Sequence, residues 1–126
     1  MATAAKPPSK WEKSTPALME TFAKALPDDL SVEPRKMFGY PCAFVNGNMF
    51  CGLHQQNIIV RLGAEEVLRR IATGDGEAFS PMAGRTMKDY LSLSKADRTD
   101  VERLRRWLLL GLDHAKKLPG KVPKRR

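Results

Sequence analysis

The chain has 126 residues, 42% of them hydrophobic and 29% charged, with only two cysteines. That length suits a single domain whose core needs no metal or disulfide staple, and the composition is ordinary for a soluble globular protein. No apolar stretch approaches the roughly 20 residues of a membrane-spanning helix, and the opening MATAAKPPSKWEK has no apolar signal core, so a cytoplasmic, non-membrane protein with free thiols is expected.

The formal net charge of +8 is unevenly placed. Lys6, Lys10 and Lys13 against Glu12 give the first thirteen residues +2, and Lys116, Lys117, Lys121, Lys124, Arg125 and Arg126 give the last eleven +6. The stretch between them keeps 13 of the 22 basic and 13 of the 14 acidic side chains and is neutral. The sequence therefore divides into a flexible arm (1–13), a folded domain (14–116) and a basic, disordered tail (117–126). Such a tail supplies salt-dependent attraction to phosphate backbones without reading sequence. A solvated, solubilising end is the competing reading.

Thr15-Pro16 pairs an N-cap hydroxyl with proline at the first helical position, and Leu18, Met19, Phe22 and Leu26 follow at helical spacing until Pro27. A first strand is expected over 32–38, weakened at its start by Pro34. Asn46-Gly47, flanked by apolar runs, is a strong type I′ hairpin signal between strands 42–45 and 48–54. Gln55-Gln56 then reverses the chain into a strand over 58–62. A short helix over 64–73 buries Val67, Leu68 and Ile71, residues 78–85 read as irregular, and 86–93 alternate as a last strand. Ser94, with Asp97 three residues on, caps one long helix whose stripe is Val101, Leu104, Leu108 and Leu112, with Ala115 near its end.

Counting outward from Asn46-Gly47 sets Cys42 directly opposite Cys51 in a non-hydrogen-bonded pair. Such pairs bring Cα atoms to about 4.5 Å, inside the roughly 4.4–6.8 Å span of a disulfide. Cys42 and Cys51 are thus a candidate redox pair, with two small buried thiols as the alternative. In the last helix, 107–110 are apolar all round. Either neighbouring elements flank the helix on both sides, or Trp107 and Leu110 line a protein interface such as a homodimer contact. Phe38 reads as a core residue, while Tyr40 with Arg35 and Lys36 is a candidate partner surface.

No catalytic, cofactor or metal site is expected. His54 and His114 are far apart and fit a surface turn and a helix C-terminus. Nucleophile-elbow, phosphate-loop and dinucleotide fingerprints are missing from the sequence.

Arg35–Gly39, the Phe44–Phe50 hairpin and the 58–62 strand, followed by Glu77–Pro81, the 84–93 segment and the Trp107–Ala115 helix, resemble the N-terminal domain of the TfoX/Sxy competence regulators. Pro41 and Cys42 depart from that pattern, which tends to glycine and aliphatic residues there. The resemblance implies an α+β domain of two layers, an antiparallel sheet of four to five strands with helices packed against it. It also implies a regulatory role in switching on DNA-uptake genes, alongside the cyclic-AMP receptor protein, and it brings no catalytic residues. The second helical domain of the full-length regulators is not expected in a sequence that stops at Arg126. The leading expectation is a non-enzymatic domain that recognises a protein partner, with nucleic-acid association through the tail and a thiol sensor as alternatives.

Overall fold

The computed structural model describes residues 14–37, 39–82 and 84–119. In chain order the elements are α1 (Pro16–Ala25), β1 (Glu33–Met37), β2 (Tyr40–Val45), β3 (Asn48–His54), β4 (Asn57–Arg61), α2 (Ala64–Ala72), β5 (Gly76–Met82), β6 (Arg85–Leu93), α3 (Lys95–Arg98) and α4 (Val101–Lys116). The six strands form one antiparallel sheet in the order β1-β2-β3-β4-β6-β5. The α+β class and the antiparallel meander agree with the sequence, with one strand more than expected.

The extra strand is β5, which occupies the segment expected to be irregular. Its pairing with β6 is interrupted between Ala78 and Phe79 and again before Met82. Those irregularities, with Pro81, remove the alternation that identifies a strand. The single long C-terminal helix is also divided. Ser94 caps α3 as expected, but the Asp100 side chain accepts from the Arg103 N–H and opens α4 as a separate helix.

Local chemistry accounts for most other boundaries. The Thr15 hydroxyl accepts from the Leu18 N–H at 3.2 Å with Pro16 behind it. Asn46 (φ 52°) and Gly47 (φ 79°) make the positive-φ turn between β2 and β3. Edge strand β1 exposes all five residues, and Pro34 and Lys36 blunt it against pairing with another chain.

A large core lies between the sheet and α1, α2 and α4, including Phe22, Val45, Phe50, Ile58, Val60, Leu91, Leu104 and Leu108. A smaller cluster of Ile59, Phe79 and Tyr90, with Met49 packed on it, lies on the other face of the sheet. α4 comes close to the sheet at Gly111. A Cβ there would lie 2.7 Å from Val60 Cγ1 and 3.1 Å from the Phe50 carbonyl oxygen. Gly111→Ala is expected to destabilise the domain by up to about 2 kcal/mol in urea unfolding, because overpacking of about 1–3 kcal/mol is offset only by the roughly 1 kcal/mol that alanine gains over glycine in a helix. An unchanged midpoint would show that α4 can lift off the sheet without cost.

Candidate functional site

The β2–β3 hairpin begins in the expected register, with Val45 opposite Asn48 and Phe44 opposite Met49. A β-bulge then intervenes, so that Ala43 faces Cys51 and Cys42 faces Gly52. The cysteines are therefore one position out of register, which corrects the direct Cys42–Cys51 pairing counted from the turn. The extra residue is Phe50, and it enters the same helix-side core as Cys51. A regular strand would have sent one of these two apolar side chains to the opposite face.

The consequence for the thiols follows from alternation. Cys42 and Ala43 are successive residues of β2 and point to opposite faces. Cys51 shares the side of Ala43, whereas Cys42 shares that of Gly52, where a Cβ would lie 3.0 Å from Cys42 Cβ. Both thiols are free and buried. Burial raises both above the ordinary thiol range, more strongly at Cys51, while Arg35 partly offsets the rise at Cys42. Both stay protonated and poorly nucleophilic at neutral pH.

Trp107 is buried at 8% exposure and packs in the helix-side core. The Arg70 guanidinium lies 4.9 Å over its ring and bonds Glu66 at 2.8 Å and Asp75 at 3.4 Å. The flanking-element reading thus accounts for Trp107, while Leu110 (45% exposed) and Leu109 (47%) face outward. Leu109 lies on the α1 side, one turn beyond Arg105, which donates to the Lys24 carbonyl. Leu110 lies on the other flank, one turn before His114.

His114 and the exposed Leu68 of α2 line a shallow groove of about 830 Å³, with Leu62, Gly63, Ala64 and Glu65. Val67 is buried as expected and Ile71 packs against the core, but Leu68, expected inside, faces outward at 68% exposure. The hydrogen bonds of Arg69 and Arg70 to Glu66 lower its carboxyl below the ordinary range.

Of the six C-terminal cations, Lys116 ends α4 and pairs with Asp29 at 2.7 Å, which with Ser31 holds the Asp29 carboxyl far below the usual range. Lys117 pairs with Asp113 at 3.3 Å. Lys121, Lys124, Arg125 and Arg126 lie outside the described residues, as do Phe38 and the N-terminal arm. The segment reaches its last described residue docked on the hairpin, where Asn48 donates to the Pro119 carbonyl at 3.1 Å.

The face of the sheet away from the helices also holds Phe44, Arg61 and Tyr90, which the sequence did not single out. Arg35 lies over Phe44 at 4.6 Å rather than beside Tyr40, which is buried. Arg61 lies over Tyr90 at 5.7 Å and pairs with Asp89 at 3.2 Å. The Tyr90 hydroxyl donates to the Met49 carbonyl at 3.0 Å. His54, expected in a surface turn, is half-buried at the end of β3 with ring centroids 5.7 Å from Tyr40 and 5.3 Å from Phe79. Loss of hydration lowers its pKa and favours the neutral imidazole. Alternation in β2 was legible enough to place Phe44 beside Met49, but the stacking arginines come from neighbouring strands. Among the described residues, no group of three or more His, Cys, Asp or Glu side chains could hold a metal ion. No described helix is long and apolar enough to cross a membrane.

Two outcomes are expected from this geometry. Mild oxidation of the native protein leaves its intact mass without the loss of two hydrogens that an internal disulfide brings. Detection of that loss under native conditions would mean that the hairpin shifts register. Glu66→Gln lowers stability by up to about 1 kcal/mol at neutral pH, since its ion pairs are partly exposed. Because the folded carboxyl titrates below the ordinary 4.5, the difference between parent and variant is full above that pH and shrinks as pH falls through the folded value. Urea midpoints across acid pH measure it, and a difference that stayed constant with pH would sink the assignment.

None of the curated proteins compared matches the chain. Residues 25–115 match the family model described as TfoX N-terminal domain. The match runs from the last residue of α1 through nearly all of α4, and so takes in the whole sheet, the bulged hairpin and the helix that closes on it. On that span, the chain belongs to the TfoX N-terminal domain family.

Proposed function

We propose that this chain is a non-enzymatic regulatory domain that acts on transcription by binding a protein partner through the outer flank of α2 and α4. The observation that carries this reading is the exposure of Leu68 (68%) and Leu110 (45%) on the helix layer, one lining the groove and the other a turn from its His114 wall. Large apolar side chains held outward on rigid helices serve as anchors for a complementary apolar surface. The groups able to do chemistry are engaged in packing instead, with both thiols buried and His54 set between aromatic rings. Family membership supports a regulatory role of the competence-regulator type.

The resemblance to those regulators names the first partner to try. Titration of the purified cyclic-AMP receptor protein into the full chain is expected to give saturable binding that survives near-physiological salt. Leu68→Glu and Leu110→Glu each weaken it tenfold or more, about 1.4 kcal/mol, while Leu109→Glu on the other flank changes it little. Absence of binding, or equal affinity in all three variants, overturns the reading. A sedimentation profile in which Leu110→Glu instead dissolves a dimer would assign the surface to a second copy.

A further inference from the structure

The β5–β6 hairpin runs out beyond the sheet that it closes. β4 pairs with β6 only at Tyr90, Leu91 and Ser92, and the Leu62 and Gly63 N–H groups reach no farther than the Asp89 carbonyl. Before Asp89, β6 pairs with β5 alone among the described residues, Met87 opposite Phe79 and Arg85 opposite Met82. Residues 84–88 are exposed without a break. A strand covered on one face shows buried and exposed residues in turn, so this ribbon stands with both faces in water. The Ser80 and Thr86 hydroxyls, 3.1 Å apart, tie its two strands together.

The ribbon is also cationic without compensation. From Ala78 to Lys88 the sequence holds two cations, Arg85 and Lys88, and no acid. Both are exposed, and neither forms an ion pair among the described residues. Arg35, Arg61, Arg69, Arg70, Arg103 and Arg105, by contrast, each pair with a carboxylate. Of the flanking acids, Asp89 is taken by Arg61 at 3.2 Å, and Glu77 stands at the sheet end of β5, opposite Ser92.

We propose that this ribbon enters the major groove of a DNA duplex, with Arg85 reaching base edges and Lys88 meeting a phosphate at the rim. Its paired strands lie about 4.8 Å apart, inside a groove about 12 Å wide and about 8.5 Å deep. Lys88 follows Arg85 by three residues, about 10 Å along the strand. With Arg85 at the floor of the groove, Lys88 is therefore level with the phosphates. The planar fork of an arginine matches guanine O6 and N7, so Arg85 favours G·C pairs. A single strand fits less well, because residues 80–88 hold no aromatic side chain on which bases could stack. The major groove of an RNA helix is too narrow to admit the ribbon. An acidic protein surface meets the two charges but has no groove for a ribbon wet on both faces. The proposal uses no residue of α2 or α4 and stands independently of the partner surface there.

The test titrates the full chain with short fluorescent DNA duplexes, one G·C-rich and one A·T-rich, at low and near-physiological salt. Single-stranded oligothymidylate and polyglutamate serve as competitors, and the methyl resonance of Met87, 40% exposed on the ribbon, is followed in parallel. The expected result is low-salt binding that prefers the G·C-rich duplex and shifts the Met87 methyl but not that of Met19 on α1. Arg85→Gln weakens binding to the G·C-rich duplex about tenfold and levels the two duplexes. Lys88→Gln weakens both alike and lowers the salt slope by about one. Both side chains stand in water, so the variants keep the parent's urea midpoint. Binding that both variants leave unchanged, or that leaves the Met87 methyl in place, belongs to cations elsewhere in the chain and overturns the proposal. Tighter capture of the single strand, equal competition by polyglutamate, or no duplex binding at low salt overturns it as well.

Discussion

The contact on which the rest of the structure depends is the seating of α4 on β3 and β4 at Gly111. With only a hydrogen for a side chain, Gly111 lets the helix backbone come within van der Waals reach of the Phe50 carbonyl and Val60. That approach lets Leu104, Leu108, Leu112 and Ala115 fill one continuous core with the strands. It also fixes where Trp107 falls, turned toward α2 and under Arg70. Arg70 bonds the acids Glu66 and Asp75 at either end of α2, so the helix that borders the groove is tied to the helix that crosses the sheet. The position of Leu68 and Leu110 is a consequence of this arrangement. Neighbouring residues take the inward sites, and these two leucines are left on the outside.

The bulge at Phe50 has an equally wide effect. By sending Phe50 and Cys51 to the helix side, it feeds the main core with one more large side chain than a regular strand provides. Beyond the bulge, Gly52 and Cys42 occupy the opposite face. Cys42 is buried there at 3% exposure, so this thiol fills a packing site. The register, rather than the presence of two cysteines, decides their chemistry. A redox pair needs both sulfurs on one face, and the additional residue in β3 separates them.

Short-range signals were legible, and long-range ones were not. Thr15-Pro16, Asn46-Gly47 and Ser94 act within a few residues of themselves, so their caps and turn could be read directly. Asp100 also acts locally, but the charged stretch around it, 95–103, reads as part of a single helix. β5 was missed because its pairing is irregular, and a strand without alternation has no sequence period to find. The bulge lacks any signal of its own, because Phe50 and Cys51 are both apolar and either register buries one of them. The site residues depended most on tertiary structure. Arg61 and Tyr90 are 29 positions apart in sequence and meet only because β4 and β6 are adjacent.

The resulting domain has two faces of different chemistry, and the sheet separates them. On the helix side, α4 consumes most of its apolar surface in the core and leaves Leu110 beside a groove. On the far side, Phe79 folds over Ile59 and Tyr90 and closes one end of the sheet, which leaves the Phe44–Met49 end open. The last described residue, Pro119, is fixed at the tip of the β2–β3 hairpin, so the basic segment after it starts where the two faces meet. The charge of the chain thus has a structural address. The folded body is nearly neutral because its arginines are balanced by Glu33, Asp89, Glu66 and Asp97, and half of the net charge of +8, Lys121, Lys124, Arg125 and Arg126, follows Pro119. The outward leucines of the helix layer follow from how closely one glycine lets α4 approach the sheet.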